Sequence, residues 1–267
     1  SGPARTMLST LYCKALDAGR EHPVLGDRFA KDAVDRIEFD WDGLKITDRW
    51  TALVTVRTAQ YDIWAAEFLA DHPRATVVHL GCGLDSRVFR LAPGSGVEWY
   101  DVDYPDVIEL RKQVYPDRPG CNLLATSATD PSWLDEIPAD RPVLLLAEGI
   151  SMYLTERDGI DLLQHVVDRF GAGELQIDFY NWLTIRSQKT HRMQRQSGAR
   201  LHWSVNSPNE VLSRVSGIRL HNAVTFFDAA TFTRTSPGFQ AAGSLARAVP
   251  PLRGMFQYHR YAFGPAS

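Results

Sequence analysis

Apolar positions fall into two regimes that meet at His72-Pro73. Before that point they recur at helical spacing, over residues 3–18 and again over 48–70. In the second segment Trp50, Leu53, Val54, Tyr61, Trp64 and Phe68 return every three or four residues, or at multiples of that step. After it, short apolar runs at 75–80, 97–102, 122–125, 142–147 and 174–179 are separated by helical stretches. Runs this short, rich in Val, Leu and Ile and bounded by Gly or Pro, predict buried parallel strands. Strands alternating with helices predict right-handed βαβ units, a doubly wound sheet and the α/β class. A polar stretch over 184–207 then leads to a predicted helix near 208–215. Runs at 218–227 and 256–263 predict an antiparallel pair that finishes the sheet.

Composition narrows the function classes. At 267 residues the chain suits one domain with a substantial core, and 44% hydrophobic against 23% charged residues is the balance of a soluble globular protein. The net charge of −3 leaves no global positive field for nucleic acid or an anionic membrane, so neither is expected as a partner. No run approaches the roughly 20 apolar residues of a membrane span, and the N-terminus lacks a basic-then-apolar leader. Cys13, Cys82 and Cys121 are scattered and odd in number, which points to a reducing cytoplasm rather than a disulfide framework. The eight histidines include no HExxH, and no metal site is expected.

The candidate chemistry begins where the run 75–80 meets a glycine turn, Leu80-Gly81-Cys82-Gly83-Leu84-Asp85. Glycines there let backbone approach a ligand, and open α/β sheets bind ligands at the carboxyl ends of their strands. Some 20 residues on, the next run ends in Asp101-Val102-Asp103. An acid at that distance is suited to the two ribose hydroxyls, and Asp103, last in the run, is the candidate. Strand, Gly81-x-Gly83 and spaced acid together indicate a nucleoside ligand. A dinucleotide needs a third glycine for its pyrophosphate, but that position is Ser86, and Asp85 beside it would repel the phosphates. S-adenosylmethionine, cationic at its sulfonium and ammonium, suits the turn better than a nicotinamide dinucleotide. Arg57 lies on the apolar stripe of 48–70, where a buried cation must be paired. Its partner is either an internal carboxylate or the carboxylate of a ligand. Glu148 ends the run 142–147 at the same sheet edge, either as a helix cap or beside the donor's ammonium.

These residues resemble the leucine carboxyl methyltransferase family, and within it the bacterial polyketide-type O-methyltransferases. The similarity spans about 11–215 and rests on Arg57-Thr58 with Asp62, Leu80-Gly81-Cys82-Gly83-Leu84-Asp85-Ser86-Arg87, Asp101-Val102-Asp103-Tyr104-Pro105, Ser127-Ala128-Thr129-Asp130-Pro131 with Trp133, and Ala147-Glu148-Gly149-Ile150-Ser151-Met152-Tyr153-Leu154. It implies a class I methyltransferase (Rossmann-like) fold, doubly wound and mostly parallel, with an antiparallel C-terminal strand and an N-terminal helical lid. It also implies S-adenosyl-L-methionine as donor and S-adenosyl-L-homocysteine as product. The implied donor contacts are Arg57, Gly81, Gly83, Asp103 and Glu148, with Lys14 facing the donor carboxylate and Ser127 and Ala128 beside the adenine. Three positions depart from the family pattern: Ser127 and Ala128 stand where the eukaryotic members have Asp-Leu, and Ser86 replaces the usual Thr. The expected organisation is a single domain, with a helical lid over 1–72, the nucleoside-binding core over 73–183, and a substrate lid with C-terminal strands over 184–267.

The expected reaction is in-line methyl transfer to an oxygen of a small, aromatic or polyketide-like acceptor. Alignment and exclusion of water supply roughly 7–11 kcal/mol in such reactions, with no metal required. A carboxylate is already a nucleophile at neutral pH, whereas a phenol with a pKa near 10 needs a base, and none is identified in the sequence. Tyr153, Tyr180 and Trp182 are expected to line the acceptor site. Arg186, Lys189, Arg192, Arg195 and Arg200 in the polar stretch are expected either to draw in an anionic acceptor or to form a solvated face. Two rival readings stand beside this one: a silent binder of adenosyl ligands, and a dinucleotide-dependent oxidoreductase.

Overall fold

The computed structural model describes residues 2–188 and 200–265, with side chains from Arg5 onward. Three helices come first, α1 (Gly2–Ala18), α2 (Arg28–Arg36) and α3 (Asp48–Asp71). The chain then alternates through β1 (Thr76–Leu80), α4 (Arg87–Leu91), β2 (Glu98–Asp103), α5 (Pro105–Val114), β3 (Cys121–Ala125) and β4 (Val143–Ala147). It continues through α6 (Glu156–Arg169), β5 (Gly173–Tyr180), α7 (Trp182–Ser187), β6 (Ile218–Thr225) and β7 (Phe256–Phe263). Helices Pro208–Leu212, Pro237–Arg247 and Pro250–Arg253 occupy the C-terminal connections.

The seven strands form one sheet in the order β3-β2-β1-β4-β5-β7-β6. The first five pair in parallel, and β7 runs antiparallel between β5 and β6. The five residues of β1 and the five of β4 are all buried, as expected for central parallel strands covered on both faces. Strand order reverses between β1 and β4, and this opens a crevice at their carboxyl ends. On one face Leu162, Leu163 and Val166 of α6 meet Val78, Leu145, Ile177 and Phe179. On the other, Val56, Tyr61, Trp64 and Phe68 of α3 meet Val77, Trp99, Leu144 and Tyr258.

Local chemistry sets the element ends that position the crevice. Thr47 caps α3 by accepting the Trp50 N–H, and Asp48 sits favourably in its first turn. Asp27 caps α2 through the Ala30 N–H. In α1, the buried Asp17 carboxylate accepts the N–H groups of Val24, Leu25 and Gly26, which ties the α1–α2 turn to the helix. The run expected at 218–227 ends as a strand at Thr225, because Phe226 turns into a 3-10 turn and buries itself among aromatic rings on the α3 face of the sheet. The helix expected near 208–215 stops at Leu212.

Candidate functional site

At the carboxyl end of β1 the chain turns through Gly81 with φ +64°, and a Cβ there would lie 2.3 Å from the Ile150 side chain. Only glycine lets the β1 and β4 loops approach this closely. The Gly83 N–H donates to Asp103 Oδ2 at 2.7 Å, and the Tyr104 N–H to Oδ1 at 2.8 Å. Burial pushes the Asp103 carboxyl above the usual range, although these two N–H groups and nearby cations oppose the shift. Asp101, two residues earlier, is wholly internal: it accepts from Arg111 (2.6 and 2.9 Å) and from Trp99 (2.9 Å). Arg111 also donates to the carbonyls of Gly83 and Asp85, so the Asp101–Arg111 pair braces the glycine turn from behind. Asp103 is therefore the acid that meets the turn from the strand end.

Asp85 is not the free negative charge that the sequence suggested. Lys14 from α1 reaches it at 2.8 Å, Arg90 at 2.7 Å and Arg87 at 3.5 Å. Burial alone would raise its pKa, but the three cations hold the carboxyl well below its ordinary value. Asp85 therefore does not stand as a repelling charge before a pyrophosphate, as expected from the sequence, since its charge is already matched inside the protein. Lys14 is buried, not solvated, and its partner in this structure is Asp85.

The network extends across the crevice. Arg90 also pairs with Asp27 (2.7 Å) and Asp62 (2.8 Å), and Arg87 with Asp62 (2.7 Å) and Glu148. Glu148 in turn accepts from Arg57 at 3.0 Å and from the Thr58 hydroxyl at 2.8 Å. Burial disfavours the Glu148 charge, but Arg87, Arg57 and Lys14 outweigh it and draw its pKa down to about 2. Arg57 reaches beyond Glu148 to Asp178 of β5 at 3.1 Å. Of the two partners open to Arg57 from the sequence, an internal carboxylate or that of a ligand, the structure shows internal ones, Glu148 and Asp178. The helix-cap reading of Glu148 does not hold, because its oxygens face Arg57, Thr58 and Arg87.

Arg57 also marks the edge of a cavity that opens to solvent, lined by residues of α1, α3, β5 and β7 and the loop after β4. Thr6, Trp50, Met152, Tyr153, Tyr180 and Tyr258 are among its walls. Burial raises the Tyr153 and Tyr180 phenols above their usual value, so neither is a base at neutral pH. Asp178, the acid in the lining, already accepts from the Gly149 N–H at 2.7 Å and from Arg57. Gly149 has φ +77°, and a Cβ on it would come within 3.1 Å of the Arg57 guanidinium, so glycine is what lets that cation lie flat on the loop.

The structure brings Lys14, Arg57, Gly81, Gly83, Asp103 and Glu148 to one sheet edge, and Ser127 and Ala128 to the loop after β3, whose Ala125 is paired with Asp103. Ser127 bonds locally to Thr129, and the Ala128 carbonyl accepts from Trp133. Tyr153 and Tyr180 share the cavity, but Trp182 and Arg186 do not line it. The Asn181 side chain starts α7 by capping Thr184, which leaves Trp182 half exposed in the first turn and Arg186 exposed one turn on. Arg200 is exposed, and Lys189, Arg192 and Arg195 lie outside the described residues. Among the described residues no group of three or more His, Cys, Asp and Glu forms a metal site, and no helix is long and apolar enough to cross a membrane. The sequence reading missed Asp178 and the central place of Arg87. A signal for Asp178 exists: Glu174, Gln176, Asp178 and Tyr180 alternate with Leu175, Ile177 and Phe179, so β5 carries a polar face.

The profile of the leucine carboxyl methyltransferase family matches residues 8–120. The chain is 38% identical over 263 residues to the tetracenomycin polyketide synthesis O-methyltransferase TcmP of Streptomyces glaucescens, covering 98% of this chain and 97% of that protein. It is 33% identical to the S-adenosyl-L-methionine-dependent methyltransferase dpfgK of Gibberella zeae, over 82% of this chain and 80% of the other. The fold is similar to that of the plantazolicin methyltransferase BamL, solved with a triazolic desmethylPZN analog and SAH, at TM-score 0.53 and 10% identity over 98% of each chain. With its glycine turn, Asp103 and parallel sheet in the class I methyltransferase arrangement, this chain belongs to the leucine carboxyl methyltransferase family of S-adenosylmethionine-dependent methyltransferases.

Proposed function

We propose that the protein transfers a methyl group from S-adenosylmethionine to an oxygen, a carboxylate or acidic phenol, of a small aromatic, polyketide-like acceptor held in the cavity beside Arg57. The observation that carries this reading is the shared position of Arg57, which pairs with Glu148 on the donor side and lines the acceptor cavity on the other. The likeness to a tetracenomycin polyketide O-methyltransferase supports the acceptor class.

The residues suit the donor on electrostatic grounds. Lys14, Arg57, Arg87 and Arg90 face Asp27, Asp62, Asp85, Glu148 and Asp178, so carboxylates outnumber cations by one within the network. A ligand with sulfonium and ammonium groups against one carboxylate is net positive and balances that surplus. In this reading Asp103 accepts from the ribose, Gly81 and Gly83 let backbone lie against the nucleoside, and Ser127 and Ala128 flank the adenine. Lys14 and Arg57 face the donor's carboxylate, and Glu148 its ammonium. The donor supplies a methyl carbon already activated by its sulfonium. The protein's part is to hold the acceptor oxygen in line with it and to keep water out. An ionised acceptor needs no proton removed, in keeping with a cavity whose acid is bound to Arg57 and whose phenols are protonated. His202 is exposed and is not part of the lining, so it offers no base there.

The test is transfer of labelled methyl from S-adenosylmethionine to a panel of aromatic carboxylic acids and phenols. Turnover with a maximal rate that stays flat from about pH 6 to 9 is expected. A rate that falls on a single titration below pH 7 would give the reaction a general base. Donor binding without transfer to any acid or phenol would make the protein a silent binder.

A further inference from the structure

We propose that His79 is a positioning residue for the donor: its imidazole holds the Arg87 guanidinium and, through it, the Glu148 carboxylate that faces the donor's ammonium. The proposal rests on the reading of Glu148 as the partner of that ammonium. His79 is the polar side chain in the interior of β1, where its neighbours Val77, Val78 and Leu80 are apolar and fully buried. It precedes Gly81 by two residues and shares a sheet face with Asp101, its register partner on β2. The ring is itself buried and packs edge-on against Trp99, with centroids 6.2 Å apart.

Contacts at its two nitrogens define what it can do. Arg87 Nη1 lies 3.2 Å from Nε2. A guanidinium only donates, so Nε2 is the acceptor and the ring hydrogen sits on Nδ1. Nδ1 faces Asp101 Oδ1 at 3.2 Å, off the line of a good hydrogen bond. The imidazole thus stands between the Asp101–Arg111 pair, which braces the glycine turn, and the ion pairs around Arg87.

Arg87 gives the reason that this acceptor matters. Its guanidinium is planar, so the direction of any one nitrogen follows from the other two. Nε donates to Asp62 at 2.7 Å, Nη1 to His79, and Nη2 to Glu148. A buried N–H without an acceptor is unfavourable. With the imidazole gone, Nη1 turns toward Asp85 Oδ2, which already lies 3.5 Å from Nη2, and Nη2 is drawn off Glu148. A neutral acceptor is also what the charge balance allows. The network already holds one more carboxylate than cations, and an acid at position 79 would widen that surplus.

The experiment compares S-adenosylhomocysteine with 5′-methylthioadenosine, which shares its nucleoside and thioether and lacks the amino-acid part. Each is titrated calorimetrically into the wild type, His79→Leu and His79→Gln, with melting temperatures measured alongside. The wild type is expected to bind S-adenosylhomocysteine the more tightly. In His79→Leu that affinity is expected to fall roughly tenfold, while the affinity for 5′-methylthioadenosine stays unchanged. The amide oxygen of His79→Gln reaches the place of Nε2 and is expected to restore the loss. Equal losses for both ligands, no loss for either, or a glutamine that restores nothing overturns the proposal and leaves the donor site standing. Failure of the wild type to bind S-adenosylhomocysteine overturns the donor-site reading, and equal binding of the two ligands overturns the part given to Glu148; the proposal falls with either. Should His79→Leu not fold, His79→Asn, whose amide stops at the place of Nδ1, is read in its stead.

Discussion

The two halves of the crevice solve opposite problems. On the side proposed for the donor, Arg87, Arg90, Asp27, Asp85 and Glu148 are nearly or wholly buried, and each is held by at least two charged partners or a charged partner and a hydroxyl. On the side proposed for the acceptor, the walls are mostly aromatic and aliphatic, with Arg57 and Asp178 as the charged residues of the lining. Charges in a low-dielectric interior tolerate no missing partner, because the one left behind is uncompensated. Apolar walls tolerate exchange of shape for similar shape. Under the proposed reading, the contrast sets a rigid, specific network for the donor against a cavity for the acceptor whose shape is open to revision.

The sharpest way to break this contrast is at Arg87, whose side chain is fully buried and joins Asp62, Asp85 and Glu148. Arg87→Met is expected to cost about 3–5 kcal/mol, a fall in melting temperature of about 10 °C. Met152→Leu in the cavity wall is expected to cost less than about 1.5 kcal/mol. Equal losses in thermal melts would erase the distinction between the halves. Acid should act through the same network. The folded-state pKa of Glu148, about 2, lies below its unfolded value of roughly 4.3, so its stabilisation is complete above about pH 5 and is lost as pH falls toward 2. In Arg87→Met that acid limb should shrink.

Asp103 sharpens the comparison, because it meets the glycine turn at the same sheet edge without being part of the ion-pair network. Its protein partners are backbone N–H groups of Gly83 and Tyr104. Asp103→Asn is expected to weaken S-adenosylmethionine binding roughly ten- to a hundredfold by titration calorimetry, with little change in melting. A melting temperature that falls in step with affinity would make Asp103 a brace for the glycine turn and not a ribose ligand. The smallest effect belongs to Arg186, exposed and outside the cavity lining. Arg186→Gln is expected to raise KM for an anionic acceptor by roughly twofold at low salt, an effect that disappears as exposed charges are screened. A larger change that persists in high salt would place Arg186 against the bound acceptor.

The strands were legible because β1 and β4 are buried on both faces and so read as unbroken apolar runs. The glycine turn and Asp103 were legible because both are local to strand ends. Helix α2 was not: its nine residues bury only Ala30 and Ala33, too short an apolar pattern to stand out. The same holds for Pro237–Arg247, where Gly243 is the buried residue and Leu245 stays exposed. Trp182 has the composition of a cavity wall, but the cap at Asn181 turns it away.

What the sequence determined by itself was the α/β order, the glycine turn, the acid spaced from it and the presence of a cation on the α3 stripe. These follow from periodicity and from chemistry confined to a few neighbouring residues. What the tertiary structure decided was who answers each charge. Lys14 and Asp85 are 71 positions apart, Arg57 and Glu148 are 91, and Arg57 and Asp178 are 121. A carboxylate and a guanidinium that far apart leave no mark on each other's surroundings in the chain. Whether a buried charge is free for a ligand or already matched is fixed only when the fold brings its partner within about 3 Å.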